Sequence, residues 1–406
     1  MRTLTVRAVS MGVGASLVAG AAAVIGAGAA YPQAARGPLS RAPAEAAETY
    51  RVYVANESSD VISRVVFRPG EGLEVEREIN VGVMLGDIDG PHGIAVSPSG
   101  DAWYVTIAHG TPFGTVWKFD AGPDTLVSRT ELGLFPATVA TTRDGQFLFI
   151  VNFNLHGDMV PSSVSIVHTP TMMELARPTT CVMPHGSRID DAGARHYSAC
   201  MMDDQLVEID TRTFEVRSRF SVAPGREGPV NAADPHAGHA MGGGAGGASG
   251  AVASGAAAAV CSPTWAQPGH GAAARFVYVA CNRNAEVLEV DIAAGRVTRR
   301  FATGRGPYNL EVDPAGRLLL ATLKGDGAVQ VFDLRTGESV ARIATTRPVT
   351  HGVVISGDGR YAFVTNEAVG GTPGTLDVID LERLERVASA ELRLQPGGLG
   401  LWSGRP

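Results

Sequence analysis

The sequence predicts an all-β protein, a seven-bladed β-propeller of four-stranded antiparallel blades closed by a C-terminal strand that completes blade 1. Three observations carry this expectation. Gly and Pro supply 50 and 24 of the 406 residues, well above the usual share of about 12 %. They are spread as punctuation, which asks for many tight turns and many short strands. A unit of four period-2 strands recurs along the chain, and the strand missing from its first copy stands at the far end.

Composition bounds the rest. With 45 % hydrophobic and 18 % charged residues the chain is not disordered, and its length buries a large core without metals or disulfides. A net charge of −7 argues against nucleic acid as a partner, because phosphate binding needs a clustered cationic face. Only Lys118 and Lys324 are lysines, a bias that fits an Ala- and Gly-rich composition and carries no functional weight at this level.

From the N-terminus, Arg2 and Arg7 precede a charge-free run from Ala8 to Ala35 that passes through Ala27-Gly28-Ala29-Ala30. A positive start, an apolar middle and a small-residue exit read as a secretory signal over 1–30, which places the protein in the periplasm or at the cell exterior. Its removal takes two arginines and moves the charge from −7 to −9. The alternative is a retained anchor, since the run is long enough to cross a bilayer. After cleavage no membrane span is expected. Residues 31–48 read as a Pro- and Ala-rich linker, and 49–403 as the propeller.

The blades follow in order. Residues 50–81 supply three strands, YRVYVANE, VISRVVF and EVEREINV. Blades 2 to 7 start near Pro91, Pro136, Pro184, Cys261, Pro307 and Thr350. The clearest is THGVVISGDGRYAFVTN followed by GTLDVIDLERLERVASAEL, with an Asp-Gly-type turn between its first two strands. PGGLGLWS at 396–403 returns the fourth strand to blade 1, so no open edge is left. Between blades 4 and 5 the insert 223–259 breaks the repeat with ADPHAGHAMGGG, which reads as a flexible loop. Its His236, His239 and Met241 also suit transient copper capture.

In such a blade the innermost strand, A, begins on the face that also carries the B–C loop. That upper face collects the unusual chemistry. His92, His185 and His351 share one slot, the second residue of strand A, each followed by Gly. They fall in blades 2, 4 and 7, and three imidazoles converging on a channel mouth suit copper or zinc. The bland reading is a histidine filling a crowded inner strand. His109 and His156 in B–C loops, with Tyr308 and Asn309 at the start of the sixth inner strand, extend the candidate ligand surface. The seven slots read Gly, His, Ala, His, Ser, Tyr and His from blade 1 to blade 7. Four cysteines are an even set for an exported protein. The expected bridges are Cys181–Cys200 and Cys261–Cys281; a Cys200–Cys261 cross-pair and thiolate metal ligands are the alternatives.

RYAFVTNEAVGGTPGTLDVIDL, RFVYVACNRNAEVLEVDI and YRVYVANESSDVI resemble the YVTN-type β-propeller repeat, over residues 50–403. The resemblance implies the fold and leaves the function open, since relatives include surface-layer proteins, lactonases, haem d1 domains and the nitrous oxide reductase propeller. The last places histidine ligands on its inner strands. This chain departs from it in having no adjacent pair of histidines, and no Cys-x-x-Cys-His exists to attach a haem. No acid–base pair or nucleophilic triad stands out, and Asp203, Asp204 and Glu367 lie in B–C turns where solvated carboxylates are common. Two readings follow. One is a non-enzymatic exported binding or scaffold propeller that uses its upper face for a protein or small ligand. The other is a metal-binding propeller, copper- and redox-active, with its ion under the three histidines.

Overall fold

The computed structural model describes residues 48–83, 86–109, 114–230 and 259–402. The expected signal, nearly all of the linker, and His236, His239 and Met241 of the insert lie outside the described residues. The remainder forms seven antiparallel sheets, and each inner strand packs against the next until the ring closes. The inner strands, in ring order, are Pro396–Trp402, Pro91–Val96, Pro136–Thr141, Pro184–Ile189, Pro263–Pro268, Pro307–Val312 and Val349–Ile355. Blade 1 is Pro396–Trp402, Tyr50–Asn56, Val61–Arg68 and Gly72–Asn80, so the C-terminal strand supplies its inner edge as expected. Two sheets depart slightly from four strands. The outer strand of blade 3 is split into Met173–Ala176 and Thr179–Val182 around Pro178, whose missing N–H breaks the ladder. Blade 4 gains the two-residue strand Gly228–Pro229.

Closure is made by backbone and side chain together. Arg51 pairs with Trp402 and Val54 with Leu399, while Glu57 N–H donates to Gln395 O at 2.9 Å. Leu394 N–H reaches Ser59 Oγ at 3.0 Å, and Arg393 holds Glu78 through two bonds of 2.7 and 2.6 Å. The alternating apolar residues of each strand pack between neighbouring blades. At the first seam Tyr53, Trp103 and Phe119 stack at 4.9 and 4.0 Å. Beneath them the buried Asp124 carboxylate accepts from Tyr53 Oη and Trp103 Nε1, both at 3.0 Å, and pairs with Arg64.

One irregularity recurs and places the site. Pairing between strands A and B slips just before the slot residue, between Pro91 and Ile94, Pro184 and Ser187, and Thr350 and Val353. Each slot histidine therefore sits in a bulge with the glycine after it, lifted off the ladder towards the axis. Two of the freed amides are satisfied by a threonine of strand B, Gly93 by Thr106 Oγ1 at 2.7 Å and Gly352 by Thr365 Oγ1 at 2.8 Å. Those hydroxyls then donate across to the next blade, Thr106 to Ala137 O at 3.1 Å and Thr365 to Gly397 O at 2.7 Å. In the same way His185 O is held by Thr138 and His351 O by Thr322, at 2.7 and 2.8 Å. The glycines permit this approach. A Cβ on Gly93, Gly186 or Gly352 would stand 2.2, 2.4 or 2.7 Å from a carbonyl of the neighbouring inner strand.

One blade boundary needs correction. Strand A of blade 5 begins at Pro263 rather than near Cys261, because Pro263 pairs with Cys281 as Pro184 pairs with Cys200. Its slot residue is Thr264, in place of serine. Both expected disulfides are formed, and no free cysteine remains. Cys181 belongs to the outer strand of blade 3, so Cys181–Cys200 staples blade 3 to blade 4.

Candidate functional site

The bulged slots bring His92, His185 and His351 together at the upper mouth. The ring of His92 lies 6.1 Å from that of His185 and 6.2 Å from that of His351, centroid to centroid. Tyr308, the slot residue of blade 6, fills the remaining side, 5.4 Å from His185 and 4.6 Å from His351. Imidazoles ligating one ion at about 2 Å through nitrogen would bring their centroids to about 5.5 Å, so both of the separations from His92 are wider than a shared ion would set. Among the described residues no group of three His, Cys, Asp or Glu is already arranged to hold a metal.

The three imidazoles are buried, at 8, 2 and 6 % exposure. Burial lowers the pKa of each, that of His185 to about 3, so all three are neutral near pH 7. His185 Nδ1 faces Thr264 O at 3.0 Å. A carbonyl only accepts, so Nδ1 carries the proton and Nε2 accepts from Tyr308 Oη at 3.1 Å. His92 Nδ1 is buried without a hydrogen-bond partner, while the Nδ1 edge of His351 lies against the backbone of Gly397. A neutral imidazole nitrogen with no protein partner is costly in a folded interior, and a water in the adjoining void or a bound ligand would satisfy it.

A second tier of side chains comes from the B–C loops. Glu57 Oε1 stands 3.1 Å from His109 Nε2, and its Oε2 accepts from Gln395 Nε2 at 3.2 Å. The same Oε2 is 4.0 Å from His92 Nε2. On the other side Glu367 Oε1 lies 3.5 Å from His351 Nε2 and 3.2 Å from Lys324 Nζ. The Lys324 ammonium in turn sits 4.4 Å above the Tyr308 ring. His156 joins at the rim, 5.3 Å from the His109 ring, with Phe135 against both at 5.5 and 4.9 Å.

Below the imidazoles the channel narrows to a void of about 30 Å³, walled by Thr138, Val139, Arg188, Trp265 and Asn309. That is room for two waters or one ion, and too little for an organic molecule. Trp265 Nε1 and Asn309 Oδ1 are also buried without partners.

Of the candidates among the described residues, His92, His185, His351, His109, His156 and Tyr308 gather at one mouth, with Asn309 in the void beneath; the four cysteines are in disulfides, and His236, His239 and Met241 lie outside the described residues. Asp203 and Asp204 have structural work instead. The first accepts from Val182 N at 2.7 Å, and the second from Val260 N and Ser262 N, leading the chain into blade 5. Glu57 and Lys324 escaped the sequence reading. Their signal was positional, since each follows the end of strand B, the slot that Glu367 occupies in blade 7.

No family model and no curated protein matches the chain. Among solved structures, the crystal structure of a functionally unknown protein from Desulfotomaculum acetoxidans DSM 771 is similar, with a TM-score of 0.62 and 13 % identity over 87 % of this chain and 99 % of that one. At that identity the likeness concerns the fold alone.

Proposed function

We propose that the protein is an exported binding propeller of the YVTN-repeat type that takes its ligand on the axis, at the upper mouth. The observation that carries the reading is the convergence of Glu57, His92, His185, Tyr308, Lys324, His351 and Glu367 from blades 1, 2, 4, 6 and 7, with the buried Nδ1 of His92 left without a protein partner. His109, His156 and Asn309 border the same place. Two disulfides are compatible with an oxidising compartment, as the signal-like 1–30 segment requires. The test is a thermal-shift screen of the full chain against single-component probes: transition-metal chlorides, small carboxylates and small amines. A probe that raises the midpoint of the wild type, but not of the His92→Gln/His351→Gln variant, supports the mouth. If every stabilising probe acts equally on both proteins, the ligand sits elsewhere.

A second reading, a transition-metal centre under the three histidines, is favoured by the neutral imidazoles and by a void of about 30 Å³ that admits little more than an ion. It predicts about one copper, zinc or nickel per chain after metal supplementation. Replacing His92, His185 and His351 by Ala should remove it. A wild type that stays metal-free under all three supplements would end this reading and leave the first standing.

A further inference from the structure

We infer that the guest of the mouth is a primary amine, whose ammonium group takes the gap between Glu57 and His92. This rests on the binding reading of the same mouth and adds the chemical class of the ligand.

Glu57 is a deeply set carboxylate without a fixed cation. Its side chain is 13 % exposed, and Glu208, Glu289, Glu311 and Glu367 are set at least as deep. Each of those four faces an arginine or a lysine, at 2.7, 2.6, 3.8 and 3.2 Å. Among the described residues Glu57 has only His109 Nε2 at 3.1 Å, Gln395 Nε2 at 3.2 Å and, at 4.0 Å, His92 Nε2. Burial, the largest influence, would raise its pKa, but the His92 ring, the bond from His109 and the Lys324 charge hold it below the ordinary carboxylate value. With Glu367 and Lys324 added and His109 left uncounted, the mouth carries two carboxylates and one ammonium over three neutral imidazoles. It is one positive charge short of neutral, and a buried charge needs its counterpart.

The gap suits N–H donors. At 4.0 Å, His92 Nε2 and Glu57 Oε2 stand too far apart to bond each other, yet one nitrogen between them reaches both at about 2.9 Å. His92 is 8 % exposed and its Nδ1 has no protein partner; with the proton there, Nε2 offers its lone pair to the gap. The opposite side of the mouth holds the same parts, already filled. There the Lys324 ammonium stands 3.2 Å from Glu367, beside the slot histidine His351 and 4.4 Å above the Tyr308 ring. Around Glu57 the slot histidine is His92 and the ring is Phe135, 5.5 Å from His92 and 4.9 Å from His109, with no lysine among the described residues to complete the set. A hard ion such as magnesium asks for a cage of oxygens, which one carboxylate and an imidazole do not make. The void beneath measures about 30 Å³, so the carbon body of the amine extends upward, past Phe135 and His156 to Leu155, which is 42 % exposed at the rim.

The test measures binding to the full chain by calorimetry at neutral pH, with ethylammonium, butylammonium and phenethylammonium chlorides as probes. Butanol lacks the charge, sodium butyrate reverses it and tetramethylammonium chloride lacks the N–H; these are the controls. Thermal melts show that each variant is folded. The wild type should bind a primary amine once per chain and none of the controls. Glu57→Gln keeps the shape but not the charge, and should weaken the amine about ten- to a hundredfold. His92→Leu removes the second acceptor and should weaken it about tenfold. Equal amine affinity in the wild type and either variant overturns the inference. So does a wild type that ignores all three amines while another probe stabilises it through His92 and His351, a result that leaves the binding mouth standing. If no probe of any class acts through the mouth, both readings fall.

Discussion

At the lower face, His270 offers a quantitative check on how the blades are tied. It lies in the A–B turn of blade 5, with Nδ1 2.5 Å from Asp191 Oδ1 of blade 4 and Nε2 3.7 Å from Glu311 Oε1 of blade 6. Gln267 donates to the same Glu311 oxygen at 3.3 Å, and Arg188 approaches its other oxygen at 3.8 Å. Burial alone would lower the His270 pKa, but Glu311 and Asp191 together lift it from 6.5 to about 9. A folded-state value above the unfolded one means that the added stability is fully present below pH 6.5 and disappears as the pH rises through about 9. The full displacement corresponds to about 3 kcal/mol. Asp191 is 48 % exposed, so solvent screening reduces the expected effect to about 1–2 kcal/mol. Urea unfolding followed by tryptophan fluorescence should therefore find His270→Gln less stable than the wild type by about that amount at pH 6. The gap should close as the pH is taken above 9. A gap that stays constant across this range would refute the claim that a charged His270 joins these blades.

Two further outcomes concern the seams between blades and the bridges. Asp124→Ala leaves the Arg64 charge, Tyr53 Oη and Trp103 Nε1 without their buried acceptor. It should cost about 3–5 kcal/mol, or about 4–7 °C in a ring of this size, read by calorimetry. A drop below about 1 °C would mean that the first seam does not depend on the carboxylate. The two disulfides close loops of 19 and 20 residues, so Cys261→Ser/Cys281→Ser should lose about 3 kcal/mol in urea. An unchanged urea midpoint would assign that bridge no part in stability.

The fold was legible because its grammar is local. Period-2 strands, Asp-Gly turns and a repeated Pro-His-Gly start each state their position within a blade, and seven repetitions leave one topology. The three slot histidines could be found for the same reason, since the repeat itself puts them in register. Blade 5 was misplaced by two residues because Cys261 and Pro263 both look like a beginning. Only the pairing of Pro263 with Cys281 decides between them. Glu57 and Lys324 escaped for a different reason, since their slot at the end of strand B marks a position but not a direction. Whether a residue just past strand B leans towards the axis depends on how neighbouring blades crowd it. His109 and Gln395 hold Glu57 inward, and Tyr308 does the same for Lys324. The scarcity of lysine, which reads as compositional drift, conceals that one of the two sits at the centre of the chemistry.

The closing strand also settles an orientation. Tyr50 Oη bonds Asp358 and Trp402 Nε1 bonds Gly100 O, both partners being turns of the lower face. The polypeptide therefore enters and leaves the ring on the side away from the histidines. Anything joined at either end, whether a tether, an affinity tag or a solid support, would hold the ring by its underside like a bowl set on its foot, open upward. Sensor surfaces coupled through Thr49 or Trp402 would leave the mouth free to meet what comes from solution.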